Sequence, residues 1–362
     1  MSLNKITAPL LTWYEKEHRI LPWRLSKNPY YIWISEIMLQ QTRVEAVKPY
    51  FERFVKAFPT IEAVAWAPED QLLKMWEGLG YYNRVRNIQK AAKIVVENYN
   101  GSLPADYEEL KKLPGIGNYT AGAVSSIAYN IPAPAVDGNV MRVISRIEER
   151  TEDIMKQSSR TAVEEALSAV MPKDRAGDFN QALMELGAVV CVPNGAPNCE
   201  KCPVAHLCGT FKHGRMDELP VKAQKKPRKK EERTVLLIQD GDRVAIHKRE
   251  KKGLLAGLYE FPNFLKKMTE QEVLDYVKGL NLIPLQIQKL EEAKHIFSHI
   301  EWHMSGYAVK VAALDEHQQG EFLFVDQKET EDIYTIPAAF GAYTKYMNIR
   351  LGQEKYRQEE KK

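Results

Sequence analysis

The stretch Leu113–Asp137, LPGIGNYTAGAVSSIAYNIPAPAVD, constrains this chain more than any other. A short helix predicted over Tyr107–Leu113 must stop at Pro114, because proline removes an amide donor and its ring clashes with the turn before it. Gly115-Ile116-Gly117 follows, and then a helix of small residues from about Tyr119 to Tyr129. Two glycines between two helices let the backbone come very close to another molecule. The second helix opens with unpaired N–H groups and the positive end of its dipole, which together attract an anion. Gly115 and Gly117 are therefore candidate phosphate-binding positions. A lone G-x-G is also a common tight turn between helices. The fixed spacing down to the aspartate of Val136-Asp137-Gly138-Asn139 favours a DNA phosphate over a free nucleotide.

The surrounding chain has two regimes. Residues 1–211 read as all-helical: Ile6–His18, Asn28–Gln41 with Pro29 in its first turn, Val44–Ala57, Ile61–Ala65, Glu69–Trp76 and Tyr82–Asn98 precede the hairpin. Val140–Glu149, Ser159–Val170 and Asp178–Val190 follow it. Residues 212–233, KHGRMDELPVKAQKKPRKKEER, are dense in charge with two prolines and read as a linker. From Thr234 the period changes to two. Strands are predicted at Val235–Gln239 and Val244–Lys248 around the hairpin signal Asp240-Gly241-Asp242, and at Leu258–Pro262, Leu285–Leu290, Lys294–Ser298, His303–Val311 and Gly320–Val325. Helices are expected at Thr269–Gly279, with Thr269 as cap, and at Gly341–Arg350. Residues 234–351 thus form an α+β domain, and 352–362 a disordered tail. No run of about twenty apolar residues exists and the N-terminus reaches charges early, so a cytoplasmic chain without a membrane partner is expected. A net charge of +3 permits a locally basic face without demanding one.

Three polar features carry chemistry. All four cysteines lie in one stretch: Cys191, Cys199, Cys202 and Cys208, with spacing C-x7-C-x2-C-x5-C. Four thiolates in so short a loop can wrap a cuboidal [4Fe–4S] cluster, whereas structural zinc more often uses two separate C-x2-C pairs. Glu36 stands in the apolar helix YIWISEIML, where a charge is costly unless it faces a pocket. Desolvation would raise its pKa and suit it to carry a proton near neutrality. Asp137 precedes a helix as an N-cap, where it is expected to stay ionised. One raised and one depressed carboxyl is the arrangement that glycosidic cleavage through an oxocarbenium-like state requires.

Taken together, the hairpin LPGIGNYTAGA, the segment VDGNVMRV and the four-cysteine loop resemble the base-excision DNA glycosylase superfamily that includes endonuclease III. SEIMLQQTRVE, EGLGYYNRVRN and LPWR narrow the resemblance to the adenine DNA glycosylases of the MutY family. That resemblance implies a multidomain protein: an all-α helix-hairpin-helix catalytic domain over residues 1–211, containing a six-helix barrel and a cluster loop at 191–208, followed by a Nudix-like domain that reads 8-oxoguanine. It implies a [4Fe–4S] cluster on the four cysteines, and excision of adenine mispaired with 8-oxoguanine from double-stranded DNA, by a monomer that is nucleoid-associated when bound. Glu36 matches the general acid that protonates adenine at N7, Asp137 the carboxylate that stabilises or traps the sugar cation, and Tyr119 a hydroxyl that supports this aspartate. Trp23, Arg24, Val44 and Gln181 match residues of the adenine pocket. Gln41, Thr42, Leu79 and Tyr81 match residues that fill the gap in the duplex and touch the opposite base. Phe297, Ser298 and His299 match a lesion-sensing loop, with Ser298 on the lesion and Phe297 as a wedge.

The chain also departs from the family. Seven residues rather than six separate the first two cysteines, and Gln181 stands where some relatives carry glutamate. Bifunctional relatives have a Schiff-base lysine where this chain has Tyr119, and a phenol cannot form an imine, so strand cutting is expected to be weak or absent. After GLLAGLYEFPNF the acidic box of a magnesium-dependent nucleotide hydrolase is missing, which excludes that chemistry here. A bifunctional glycosylase/lyase and a non-catalytic binder of damaged DNA are the alternative readings.

Overall fold

A computed structural model describes residues 3–223, 227–314 and 321–356. The expected strand start at Gly320 and the tail beyond residue 356 lie outside these. Two compact units make up the chain: Met1–Trp66 with Asn87–Lys225, and Ala67–Arg86 with Lys226–Lys362. The second unit therefore includes a helical insert, residues 67–86, from within the span expected to be wholly catalytic.

The helices, in chain order, are α1 (Thr7–Glu17), α2 (Pro29–Leu39), α3 (Val44–Ala57), α4 (Ile61–Trp66), α5 (Glu69–Met75), α6 (Asn83–Asn98), α7 (Tyr107–Lys111), α8 (Asn118–Tyr129), α9 (Gly138–Ile147), α10 (Gln157–Ser168), α11 (Ala176–Val189) and α12 (Gly209–Lys212). Their ends follow from local chemistry. Asn28 caps α2 by accepting from the Tyr30 amide at 2.9 Å, with Pro29 at the first helical position. Asp106 caps α7, and α8 stops at Asn130 in the left-handed conformation, φ 52°. In the first unit α9 is central. Val140, Met141, Val143, Ile144 and Ile147 are buried against α1, α10 and α11. Each such side chain contributes roughly 1.5–3 kcal/mol relative to exposure.

Close backbone approach sets where α8 lies. A Cβ added at Gly122 would come within 2.2 Å of the Pro134 carbonyl oxygen, so only glycine lets α8 pack on the Ala133–Val136 segment that leads into Asp137. Gly187 of α11 packs likewise on Asn139, where a Cβ would meet the asparagine Cβ at 2.6 Å. These two contacts fix Asp137 and α9 against the helices that carry the rest of the site.

Among the described residues the second unit is built on a sheet of seven strands, β1 (Lys229–Asp240), β2 (Arg243–Lys248), β3 (Tyr259–Glu260), β4 (Asn263–Phe264), β5 (Pro284–Ile296), β6 (Ile300–Val311) and β7 (Leu323–Val325). The order is β3-β2-β1-β6-β5, with β4 paired to β1 and β7 to β2. β1 and β6 are parallel, in register from Lys229↔Ile300 to Gln239↔Lys310, and the other pairs are antiparallel. Alternate residues of β1 feed two cores: Val235 and Leu237 one, Leu236 and Ile238 the other. Helix α13 (Glu270–Gly279), closed by a Thr269–Glu272 capping box, covers one face. Phe340 and Tyr343 cover the opposite face.

Several expected elements differ. β1 starts at Lys229, inside the span read as linker, because β6 offers it a parallel partner through the charged half. The strands expected at Leu285–Leu290 and Lys294–Ser298 are one strand, bulged between Leu290 and Ala293. The expected helix Gly341–Arg350 breaks into a single turn, α15 (Gly341–Thr344), and the 3-10 segment Lys345–Met347, stopped by Asn348 at φ 55°. A short helix before it, α14 (Gln327–Asp332), carried too little apolar periodicity to be foreseen. Gly352–Lys355, assigned to the tail, is an ordered turn whose first residue is buried.

Candidate active site

One cavity in the first unit gathers all three candidate catalytic residues and all four residues assigned to the adenine pocket, with Gln41 and Thr42. It has a volume of about 490 Å³, and Trp23, Arg24, Glu36, Gln41, Thr42, Val44, Tyr119, Asp137 and Gln181 all line it. The walls come from the turn Pro22–Arg24, helices α2, α8 and α11, and the start of α9. Trp23 is buried and packs edge-on against Phe51, with ring centroids 5.5 Å apart. Gln41 is held at φ 58°, a backbone conformation rare for a residue with a Cβ.

Glu36 is 6 % exposed on α2. Burial pushes its pKa up to about 7, and the nearby Asp137 charge adds to this. The Tyr119 hydroxyl and the Arg24 charge oppose it. Tyr119 donates its hydroxyl hydrogen to Glu36 Oε2, and its own pKa is raised by burial and by the two carboxylates. The hydrogen-bond partner of the phenol is thus the glutamate, not the aspartate the sequence pointed to. From the first turn of α8 the ring reaches α2, whereas the Asp137 oxygens are taken up within α9.

Asp137 Oδ1 accepts from the Val140 amide at 2.8 Å as the α9 cap, and Oδ2 accepts from Asn139 Nδ2 at 2.8 Å. Its pKa is nevertheless raised, because burial outweighs these bonds. The expected depressed carboxyl is corrected accordingly: both carboxyls are pushed up, and the cap only limits the rise at Asp137.

The sequence reading passed over further residues that build this site. Glu185 on α11 is fully buried and lines the cavity. It accepts from the Arg19 amide, from Arg19 Nε at 2.6 Å and from Arg24 Nη2 at 2.9 Å. Although burial raises its pKa, these cations bring it below the usual value. Its signal matched that of Glu36, a carboxylate in a buried helical run with Ala182, Leu183 and Leu186. Arg142 donates to Asn139 Oδ1 at 2.8 Å, to the Gly187 carbonyl at 2.7 Å and to the Cys191 carbonyl at 2.8 Å. Arg160 donates to the carbonyl of Val136.

The hairpin glycines stand outside this cavity. Gly115 has φ 79°, and Gly117 caps α8 with nothing within 4 Å of where a Cβ would be. The four cysteines line a small apolar cavity closed by Val143, Leu186 and Arg146. Arg146 Nη1 lies 3.2 Å from Cys191 Sγ, and the Cys208 thiol donates to the Arg146 carbonyl. Burial and the neighbouring sulfurs raise the pKa of Cys199, Cys202 and Cys208, Cys202 to about 12. Among the described residues no group of three or more His, Cys, Asp or Glu is drawn together as a metal-ion site. A cuboidal cluster holds its thiolates further apart than a single ion does, and a set of four sulfurs around one apolar space with a guanidinium beside it fits such a group.

The other candidates belong to the second unit. Leu79 is 7 % exposed, while Tyr81, at φ 48°, is 49 % exposed. Of this pair only the tyrosine is well exposed, with the Arg84 guanidinium 5.7 Å from its ring centroid. Phe297-Ser298-His299 is the tip between β5 and β6, where the Phe297 amide donates to the Ile300 carbonyl at 2.8 Å. Ser298 and His299 are exposed, with Ser298 Oγ 3.1 Å from His299 Nδ1. The Phe297 ring instead packs edge-on against His295 and Trp302.

A helix-hairpin-helix unit with a buried acid beside a capping aspartate, joined to a mixed sheet, defines a base-excision DNA repair enzyme with a Nudix-type domain. Family models agree: residues 34–173 match the HhH-GPD superfamily base excision DNA repair protein, and 234–345 match a NUDIX domain. The adenine DNA glycosylase of Buchnera aphidicola subsp. Baizongia pistaciae is 36 % identical over 82 % of this chain and 83 % of its own length. The chain belongs to the adenine DNA glycosylase family, and as such is an enzyme that hydrolyses N-glycosyl bonds in DNA. Among solved structures, a thermostable thymine-DNA glycosylase covers 58 % of the chain and 97 % of its own at TM-score 0.53 and 30 % identity. An endonuclease III in a non-covalent DNA complex covers 59 % and 96 % at TM-score 0.50 and 27 % identity. No described helix is long and apolar enough to cross a membrane.

Proposed function

We propose that this enzyme is monofunctional: it removes adenine paired with 8-oxoguanine or guanine from duplex DNA and leaves the strand uncut. The observation that carries this reading is the buried Glu36–Tyr119 pair beside Asp137, with a phenol in the place a Schiff-base lysine would need. An adenine extruded from the stack would enter between Trp23 and Val44 and meet Arg24 and Gln181. Glu36, with its pKa pushed up to about 7, gives its proton to N7. The N9–C1′ bond then breaks with its electron pair going to the base, and the sugar is left as an oxocarbenium ion. The Asp137 carboxylate, oriented by the Val140 amide and Asn139, stabilises that cation. Water adds to C1′ and loses a proton, giving adenine and an abasic site.

Ser298 and His299 read the opposite 8-oxoguanine, and Tyr81 with Gln41, Thr42 and Leu79 fills the gap in the duplex. Gly115 and Gly117 hold a strand phosphate. Cys191, Cys199, Cys202 and Cys208 hold a [4Fe–4S] cluster, which when bound takes up their thiolate charge and ties their loop together. The protein works as a monomer on nucleoid DNA in the cytoplasm.

The test is a single-turnover assay on duplexes with adenine opposite 8-oxoguanine, guanine or thymine, run with and without borohydride. Free adenine released fastest opposite 8-oxoguanine, with little borohydride-trapped adduct, is expected. No adenine release would leave a DNA binder, and trapping in high yield would leave a bifunctional lyase.

A further inference from the structure

Residues 67–86 sit within the second unit by means of an ion pair that the catalytic reading does not use. Glu77 is 2 % exposed and lies directly before the loop Gly78–Tyr82. Its Oε1 accepts from the Ile336 amide at 2.9 Å and its Oε2 from the Gly352 amide at 3.0 Å. Lys74, one turn earlier on α5, donates to both Glu77 oxygens at 3.0 Å, to the Thr330 carbonyl at 2.9 Å and to the Tyr334 carbonyl at 3.0 Å. Every hydrogen-bonding atom of this buried pair is therefore engaged, and most of its partners lie more than 250 residues downstream. Two outer anchors repeat the pattern: Arg86 Nη2 to the Ala256 carbonyl at 2.7 Å, and Lys248 Nζ to Asp70 at 2.9 Å.

The loop beyond Glu77 is shaped in advance. Arg84 Nη2 collects the carbonyls of Leu79 and Gly80 at 3.1 Å each, and Trp76 Nε1 donates to the Gly80 carbonyl at 3.2 Å. The Arg84 guanidinium lies over both the Trp76 and Tyr81 rings. Gly78, Gly80 and Tyr81 all have positive φ, and Tyr81 alone of the loop's large side chains is well exposed. A buried ion pair adds little net stability over apolar residues, so its value here lies in fixing one geometry.

We propose that Glu77 and Lys74 are positioning residues that tie the Gly78–Tyr82 loop to the Thr330–Gly352 segment, whose Phe340 packs on Trp302 and through it on Phe297 at the lesion-reading tip with Ser298 and His299. The opposite base recognised at the tip then governs how readily Tyr81 enters the stack. This rests on the reading that Tyr81 inserts into the duplex and that the tip senses 8-oxoguanine.

The test uses the full-length Lys74→Met/Glu77→Met double variant, whose apolar pair removes the charges while keeping the volume. Two quantities are read: the ratio of single-turnover rates opposite 8-oxoguanine and opposite guanine, and the brightening of 2-aminopurine placed beside the 8-oxoguanine. The expected result is a fall in the ratio of about tenfold with loss of brightening, since small misplacements of a positioning group carry costs of this order. A purely structural role would lower both rates together and leave the ratio alone. An unchanged ratio in a folded double variant overturns the proposal. Tyr81→Ser separates the two layers. If brightening survives Tyr81→Ser, the insertion reading fails; if it is lost there while the double variant keeps its ratio, only the Glu77–Lys74 role fails. Should the double variant melt below assay temperature, Arg86→Ala carries the test, with an expected fall of about threefold and the same overturning result.

Discussion

At the scale of single residues, Glu36 has a defined pH signature. As the proposed general acid its carboxyl must be protonated, and its pKa is pushed up to about 7. The single-turnover rate should therefore hold below that value and fall as pH rises through it, and Glu36→Gln should lose about 10²–10⁴-fold and flatten this limb. A rate that climbed steadily from pH 6 to 9 would remove Glu36 from the role. Tyr119→Phe deletes the hydrogen bond that favours the ionised acid, so the limb should move to higher pH, read from the same profile. Asn139→Ala removes a donor from Asp137 and should slow excision by about 10–100-fold with substrate binding little changed, measured as a fall in kcat without a matching rise in KM. The position of Glu36 was legible because a lone charge in YIWISEIML has few explanations. The raised pKa of Asp137 was not, because its cap bonds are visible in sequence and the depth of burial opposing them is not. The same limit hid the Tyr119 bond, since a family motif names residues that act together without saying which atom meets which.

At the scale of elements, helix starts were the most readable feature. Asp137 and Thr269 cap where the sequence places them, and Asn28 and Asp106 cap the helices expected to begin at or just after them. Strand extent was the least readable. Lys229–Arg233 looks like a solvated linker until a parallel partner takes up its backbone, and nothing local announces that partner. α8 depends on glycine for contact rather than for its dihedral angles. Gly122→Ala should destabilise the first unit by about 1–3 kcal/mol, read as a lower urea midpoint, because the added methyl meets a backbone oxygen that has nowhere to retreat. Within the second unit, Thr269→Ala breaks the capping box of α13 and should cost about 1 kcal/mol in the same measurement.

At the scale of the whole molecule, two domains and their classes were readable from the change of hydrophobic period, but their boundary was not. Residues 67–86 look like any other helical stretch of the first half, and only contacts made across hundreds of residues place them in the second unit. Purified protein should be brown, with a broad absorbance near about 400 nm, if the four cysteines hold an iron–sulfur cluster; a colourless, fully active preparation would remove the cluster from the account. The Glu77 contacts also bear on how the chain is made. The carboxylate is sealed by amides 259 and 275 positions further on. At cellular synthesis rates those amides leave the ribosome on the order of tens of seconds after Glu77 does. During that interval the nascent chain carries an acid whose partner amides have not yet been made. The enzyme's two units are thus interleaved in time as well as in sequence, since the contacts that seal residues 67–86 come only with the last part of the chain.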